Sequence, residues 1–127
     1  MRLLLDTQVY LWALANSPKL TTRVRESIQG AEQVYVSAAS IWEACIKIGV
    51  GKLDASLDAL VRGIEGSGFV ELPVLAAHTV HVAALPPIHR DPLDRLLVAQ
   101  AIVESLRLLT ADANLGQYSD LVTVITG

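Results

Sequence analysis

Hydrophobic residues along the chain fall into short continuous runs that alternate with segments in which they recur every three to four residues. Five runs, at residues 3–5, 34–36, 69–72, 108–110 and 122–125, are too short for buried helices and predict β-strands. Short apolar strands separated by helices are typical of a parallel sheet covered on both faces, because parallel strands need crossover connections. The pattern therefore predicts an α/β fold, with helices on both faces of a five-stranded, mostly parallel central sheet.

Helices are predicted between these strands from helical spacing and from capping signals. Ser40 and Glu43 have the spacing of a capping box, which predicts that a helix begins at Ser40. Asp91 followed by Pro92 predicts the N-cap and the first residue of a helix that ends near position 106. The remaining helices are predicted around residues 9–14, 21–29, 57–64 and 76–84.

The length and composition predict one folded domain, residues 1–127. Hydrophobic residues make up 52% of the chain and charged residues 18%, which is enough apolar material for a continuous core. The longest uncharged stretch, residues 72–89, carries three prolines and three histidines, which disfavours a membrane span. The N-terminus lacks the apolar core of a signal peptide, so we expect a cytoplasmic protein.

The charge and cysteine content limit the possible partners and cofactors. A net charge of −3 gives no global attraction to nucleic acid, so any binding of phosphate must be local. The single cysteine, Cys45, can form neither an internal disulfide nor a zinc site built from several thiolates.

Several carboxylates lie at the boundaries of the predicted strands and helices. Asp6 and Asp112 follow strands, and Glu43 and Asp94 lie near the starts of helices. Taken singly, each has an ordinary explanation, because acidic residues stabilise helix N-termini. Taken together at the carboxyl edge of a parallel sheet, they would repel one another unless a cation lay among them. Both interpretations remain open at this point, and Mg²⁺ or Mn²⁺ is the natural cation because these ions prefer oxygen ligands.

Five blocks of sequence add a resemblance to these patterns. The blocks are Leu-Leu-Leu-Asp-Thr at 3–7, Ser-Ala-Ala-Ser-Ile-Trp-Glu at 37–43, Ile-Lys-Ile-Gly-Val-Gly-Lys-Leu at 46–53, Asp-Pro-Leu-Asp-Arg-Leu-Leu-Val-Ala-Gln-Ala at 91–101 and Leu-Leu-Thr-Ala-Asp at 108–112. Each is weak alone, but their order and spacing together are specific. The chain resembles the PIN-domain ribonucleases, and within them the VapC-type toxins of prokaryotic toxin–antitoxin pairs.

This resemblance implies a PIN-like sandwich with the first strand in the centre of the sheet, and metal-dependent hydrolysis of RNA with Mg²⁺ or Mn²⁺ as cofactor. It assigns the catalytic and metal-binding positions to Asp6, Glu43, Asp94 and Asp112. Asp94 is preferred to Asp91 because the family's acid stands just ahead of the Leu-Leu-Val-Ala helix. Asp91 is then the N-cap.

The resemblance also implies surrounding groups and partners. Hydrogen-bonding groups around the acids are expected at Thr7, Ser37 and Thr110. The nearest candidates for contacts to RNA phosphate are Lys47, Lys52, Arg90 and Arg95. Lys47 alternatively forms only an ion pair with Glu43, one helical turn away. The implied partners are an RNA substrate, a cognate antitoxin and a second copy of the chain in a homodimer.

Other side chains receive structural interpretations. Trp42 is interpreted as a core anchor, because its neighbours are mostly apolar. For His89 a solvated loop position is favoured, with a phosphate contact as the alternative. His78 and His81 are three residues apart, which is a weak metal signal, and they are assigned no role.

Competing functions follow from the same residues. Leu-Leu-Leu-Asp-Thr also resembles the opening of an aspartyl-phosphate phosphotransferase, but that class expects a second Asp where this chain has Gln8. A receiver domain would need an acidic pair after the first strand and a central acceptor Asp, and the sequence has neither. The remaining alternative is a catalytically inactive PIN domain that binds RNA or acts as a scaffold, although all four acidic positions are filled.

Overall fold

Five parallel strands form a single sheet in the computed structural model of the chain, which describes residues 1–125. The strands are β1 (Arg2–Leu5), β2 (Gln33–Ser37), β3 (Val70–Leu72), β4 (Arg107–Thr110) and β5 (Val122–Val124). Their order across the sheet is β3-β2-β1-β4-β5, and every neighbouring pair is parallel. The predicted α/β class and the central first strand are thus confirmed, and the sheet is wholly rather than mostly parallel over the described residues.

Six α-helices and one 3₁₀ helix connect the strands over residues 1–125. They are α1 (Thr7–Leu14), α2 (Thr22–Gln29), α3 (Ala38–Gly49), α4 (Leu57–Gly66), α5 (Ala76–Val82), α6 (Pro92–Glu104) and the 3₁₀ helix Ala113–Gln117. Within this described part of the chain, no helix is both long and apolar enough to cross a membrane.

The core lies on both faces of the sheet because side chains of a strand alternate between its faces. On β1, Leu3 and Leu5 pack into one hydrophobic cluster with residues of α1 and α4, and Leu4 packs into a second cluster with residues of α6. All three side chains are almost completely buried. This arrangement confirms the sandwich that the uninterrupted apolar strands predicted.

Helix α3 begins three residues earlier than the capping-box spacing predicts. Ser37 is the N-cap, with its Oγ accepting a hydrogen bond from the Ala39 N–H at 3.0 Å. Ser40 lies buried inside the helix. Strand β2 runs directly into α3 without a loop, so the cap is the last residue of the strand. Glu43 consequently stands in the second turn of α3, and the capping box does not explain its side chain.

A buried histidine, to which the sequence analysis assigned no role, connects α5 to α6. His78 is fully buried, its Nδ1 accepts a hydrogen bond from the Leu75 N–H at 3.0 Å, and its Nε2 lies 2.7 Å from Glu104 Oε2. Hydrogen bonding satisfies the buried ring, as buried polar groups require. His78 therefore connects two helices inside the fold and is not a surface residue.

The strand order reverses beside the central strand. From β1 the chain adds β2 and then β3 on one side, and it later crosses to add β4 and β5 on the other. Parallel sheets bind ligands outside the carboxyl ends of the strands at such a reversal. The segments that follow β1 and β4, which begin with Asp6 and Ala111, therefore define the expected position of the site.

Candidate metal centre

An acidic cleft of about 260 Å³ opens at the carboxyl ends of β1 and β4. The residues that line it come from the two strand ends, from α3 and from the start of α6. They are Asp6, Thr7, Gln8, Glu43, Lys47, Asp91, Asp94, Ala111 and Asp112. The structure thus brings together all four acids that the resemblance assigned to the site, although they are up to 106 positions apart in sequence.

Asp6 lies at the base of this cleft, where it is buried and held by three hydrogen bonds. Its Oδ1 accepts from the Val9 N–H at 2.8 Å, which makes it the N-cap of α1. Its Oδ2 accepts from the Thr110 hydroxyl at 2.6 Å and the Ala111 N–H at 3.1 Å. Burial raises the pKa of Asp6 despite these hydrogen bonds, which act in the opposite direction. Asp6 therefore caps α1 and lines the cleft at the same time.

Glu43 enters the cleft from α3 and is held on both oxygens. The Thr7 hydroxyl donates to Oε1 at 2.7 Å, and Lys47 Nζ lies 2.9 Å from Oε2. The hydrogen bond to Glu43 is the main cause that raises the pKa of Lys47. Lys47 thus forms the predicted ion pair and also lines the cleft, so the two interpretations of this lysine are compatible.

Asp91 and Asp94 occupy different positions at the start of α6. Asp91 is the N-cap, and its Oδ1 accepts from the N–H groups of Leu93 at 2.9 Å and of Asp94 at 3.3 Å. Asp94 lies one turn further on. Burial, followed by the negative charges of Asp91 and Glu43, raises the pKa of Asp94 to about 7. The two acids line the same cleft, but the cap employs Asp91 and leaves the Asp94 carboxylate available.

Asp112 completes the acidic group from the segment after β4. Its Oδ1 accepts from the Asn114 N–H at 2.9 Å and caps the 3₁₀ helix, and its own N–H donates to the Thr110 hydroxyl at 3.0 Å. Thr110 therefore links Asp6 to Asp112, as Thr7 links α1 to Glu43. Both threonines are buried next to the acids they contact.

His89 contacts the acids of this site, whereas the sequence placed it in a nearby loop and favoured a solvated position over a phosphate contact. Its Nε2 lies 2.9 Å from Asp112 Oδ2 and 3.7 Å from Asp94 Oδ2. The signal in the sequence was only its position two residues before Asp91, because a contact with Asp112 depends on how α6 and β4 are arranged in space.

Five predicted residues are not among those that line the cleft within residues 1–125: Thr110, whose contacts with Asp6 and Asp112 are given above, and four others. Ser37 caps α3, and Lys52 and Arg90 are exposed on loops. Arg95 lies in a different environment from the one predicted, because its Nη2 donates to the carbonyl oxygens of Val82 and Leu85 at 3.2 Å each. Its guanidinium thereby connects α6 to the end of α5, and these contacts are structural.

Trp42 is the clearest departure from the sequence interpretation. Its side chain is 61% exposed, so it is not a core anchor. Ile46, four residues further along α3, and Val50, the C-cap residue directly after it, are 44% and 64% exposed. Residues four apart lie on one helical face, so α3 presents an apolar stripe to solvent, here called the α3 stripe (Trp42, Ile46 and Val50).

The donor set of the cleft fits a hard divalent cation. Five carboxylates line the cleft, those of Asp6, Glu43, Asp91, Asp94 and Asp112. Burial raises the pKa of both Asp6 and Asp94. Carboxylates whose charge is poorly compensated by the protein gain from a bound cation, and oxygen ligands suit Mg²⁺ and Mn²⁺. Side chains from α3, α6 and both strand ends are therefore in place to hold such an ion.

Comparison with known proteins agrees with this geometry. The sequence matches the PIN domain family over residues 3–121. No curated protein matches it closely enough to count as a relative.

Solved structures of similar fold come from several bacteria. One is VapBC2 from Rickettsia felis bound to a DNA fragment from its promoter, with a TM-score of 0.68, 14% identity and 98% of both chains covered. A toxin–antitoxin complex from Klebsiella pneumoniae has a TM-score of 0.64, 12% identity and 96% of both chains covered. FitAcB from Neisseria gonorrhoeae has a TM-score of 0.62 and 23% identity, with 98% of this chain and 97% of that chain covered. At these identities the likeness concerns the fold, whereas the sequence match spans nearly the whole chain, and the chain therefore belongs to the PIN domain family.

Proposed function

We propose that this protein is a metal-dependent endoribonuclease and the toxin of a toxin–antitoxin pair. The observation that carries the proposal is the convergence of Asp6, Glu43, Asp94 and Asp112 in one cleft at the reversal of strand order. Helix capping explains Asp6 and Asp112 in part, but it explains neither Glu43 in the second turn of α3 nor Asp94 beside an existing cap. Membership of the PIN domain family supports nuclease chemistry.

The four acids would hold Mg²⁺ or Mn²⁺. Asp6, Asp94 and Asp112 would position the ion, and Glu43 would either bind a second ion or orient the attacking water. A bound divalent ion supplies charge neutralisation at the phosphate and makes an attacking water more acidic. Thr110 and Thr7 keep Asp6 and Glu43 in fixed orientations through hydrogen bonds of 2.6 and 2.7 Å. The chain's own contribution is thus a set of oxygen ligands held before the ion arrives.

Lys47 is the best placed of the proposed phosphate-binding residues. It lines the cleft beside Glu43, and its ammonium group offsets part of the acidic charge that an RNA phosphate would meet. Arg90 and Lys52 are exposed and could reach a longer RNA, whereas Arg95 is engaged with backbone carbonyls. Local cations are needed because the net charge of −3 gives no general attraction.

Incubation of the full-length protein with structured RNA tests the proposed activity. We expect cleavage in Mg²⁺ or Mn²⁺, loss of cleavage in EDTA and recovery when either ion is added back. Gel analysis of end-labelled RNA measures the products, and internal cuts distinguish an endonuclease from an exonuclease. RNA binding without cleavage under all metal conditions would instead favour the inactive, RNA-binding PIN domain.

An antitoxin partner is the second part of the proposal. A solved structure of similar fold is a toxin–antitoxin complex. The α3 stripe leaves three large apolar side chains exposed on and directly after the helix that also carries Glu43 and Lys47. Exposed apolar groups of this kind are typical of protein interfaces, and a partner segment lying on the stripe would be next to the cleft.

We predict that Trp42→Ala combined with Ile46→Ala weakens antitoxin binding by at least about 2 kcal/mol, because exposed aromatic anchors dominate such interfaces. The ligand is the product of the short gene expected beside this one, and calorimetry with the purified pair measures the affinity. Val103→Ala is a matched control, since Val103 is an exposed apolar residue on α6. Unchanged affinity in the double variant would place the antitoxin elsewhere.

A homodimer and a cytoplasmic location complete the proposal. After the edge strand β3, the segment before α5 exposes Val74 and Leu75, and α5 exposes Val80, which is 71% accessible. Exposed sheet edges with apolar neighbours favour pairing with another chain. We predict a dimer by light scattering at micromolar concentration and a monomer after Val80→Glu. A wild-type monomer at high micromolar concentration would contradict this prediction.

A further inference from the structure

His89 reaches the acids of the cleft from the loop between α5 and α6. Its Nε2 lies 2.9 Å from Asp112 and 3.7 Å from Asp94, and ligand atoms of the three residues all lie within 4.8 Å of one another. Distance alone is compatible with two roles. The ring could bind the cation directly through a nitrogen lone pair, or it could donate a hydrogen bond to a carboxylate that does so.

The second ring nitrogen decides between these roles. The Asp91 N–H donates to His89 Nδ1 at 3.0 Å, and a ring nitrogen that accepts a hydrogen bond carries no proton. The ring proton is therefore on Nε2, which donates to Asp112 Oδ2. A protonated Nε2 has no lone pair to offer to a metal ion. For Nε2 to become a ligand, the ring would have to change tautomer and lose its hydrogen bond from Asp91.

The position of the ring is fixed on the backbone side as well. The His89 N–H donates to the Tyr118 hydroxyl at 2.7 Å, and Tyr118 packs against the hydrophobic cluster that contains α6 and β4. The Asp112 carboxylate accepts two hydrogen bonds, with Oδ1 accepting from the Asn114 N–H and Oδ2 from His89 Nε2–H. Each carboxylate oxygen keeps a further lone pair, so Asp112 is oriented without being saturated.

We propose that His89 is a positioning residue for the metal centre: its Nε2–H orients the Asp112 carboxylate for the cation, and the ring is not itself a ligand. The inference rests on the proposed function, because it concerns the same ion. Removing a hydrogen-bond partner of a ligating group typically lowers metal affinity by about 10–100-fold. Asp112 should therefore lose affinity for the cation when its donor is removed, although no ligand has been changed.

Two substitutions separate the nitrogens of the ring. His89→Gln keeps an amide N–H near the position of Nε2, and His89→Asn keeps a polar group only near the position of Nδ1. Calorimetry of the full-length protein with Mn²⁺ should give His89→Gln an affinity close to that of the wild type, and His89→Asn an affinity about 10–100-fold weaker. Circular dichroism melts without metal show whether each variant is folded.

Electron spin-echo envelope modulation, which detects nitrogen nuclei bound to Mn²⁺, tests the tautomer argument on the wild type without any variant. We expect no strong coupling to an imidazole nitrogen. Such a coupling would make His89 a ligand and overturn the inference, as would equal Mn²⁺ affinity in the wild type and His89→Asn. A wild type that binds no Mn²⁺ would overturn the proposed function together with this inference, whereas the other two results overturn the inference alone.

Discussion

Asp94→Asn should lower metal-dependent RNA cleavage by at least about 100-fold, which is the effect of losing one group that stabilises charge in a transition state. Asp94 lies in the first turn of α6 and lines the cleft, but the N-cap hydrogen bonds are made by Asp91. The substitution removes a charged ligand and preserves the shape of the side chain. Single-turnover cleavage of a fixed RNA substrate in Mn²⁺ measures the loss.

Asp91→Asn is the matched control for this prediction. The two residues are three positions apart and line the same cleft, yet asparagine is as good an N-cap as aspartate. We expect Asp91→Asn to keep most of the activity and to change the free energy of unfolding by less than about 1 kcal/mol. Wild-type activity in folded Asp94→Asn protein, or equal losses in both variants, would contradict the assignment of Asp94 over Asp91.

The sheet could be predicted from the sequence because each strand is a local feature. Leu3, Leu4 and Leu5 form an unbroken apolar run, which a strand shows when both of its faces are buried. The convergence of Asp6 and Asp112 then followed from topology, because parallel strands end at the same edge. No side-chain contact had to be known for this step.

One departure from the sequence interpretation is local to two consecutive elements, and two depend on how elements pack in space. Ser40 and Glu43 have the spacing of a capping box, but β2 continues into α3 and Ser37 makes the cap first. Trp42 lies among apolar residues, and its exposure depends on which face of α3 meets the sheet. The contact of His89 with Asp112 spans 23 positions and requires the loop before α6 to lie against the segment after β4.

Asp6 illustrates why a helix cap and a place in the cleft do not exclude each other. The sequence left a helix cap and a metal ligand as alternatives, and the structure shows Oδ1 capping α1 while Oδ2 accepts from Thr110 and Ala111. Asparagine at this position would turn an amide N–H towards the Ala111 N–H, or lose the cap. Asp6→Asn therefore mixes lost hydrogen bonds with lost charge, and Asp94 is the better residue for testing repulsion among the acids.

The metal-free protein should become less stable as the pH rises from about 4 to about 7, and Asp94→Asn should remove much of this dependence. The pKa of Asp94 is raised from 3.8 to about 7 by burial and by the charges of Asp91 and Glu43. Between these two values the folded state holds a proton that the unfolded state has lost. Unfolding then releases a proton, so the free energy of unfolding falls with increasing pH.

The difference between the two proteins isolates this effect, because the other titrating groups are common to both. Below pH 4 Asp94 is protonated in both the folded and the unfolded state, and the two proteins should differ little from that cause. Above pH 7 the variant should be the more stable in EDTA, by an amount that the raised pKa limits to about 4 kcal/mol. Urea unfolding at pH 4, 5.5, 7 and 8 measures the difference, and parallel curves for the two proteins would contradict a raised pKa at Asp94.

At pH 8, Mn²⁺ should stabilise the wild type more than Asp94→Asn and so oppose the order of stability expected in EDTA. The ionised acids of the cleft repel one another without a cation and bind it when it is present, so the same charges that destabilise the metal-free protein stabilise the loaded one. At a hundredfold excess over its dissociation constant, a ligand of the folded state adds about 2.7 kcal/mol. The wild type should gain this amount and Asp94→Asn much less, because it lacks one of the ligands. If Mn²⁺ stabilises the two proteins equally at pH 8, the cation does not bind at the cleft that contains Asp94.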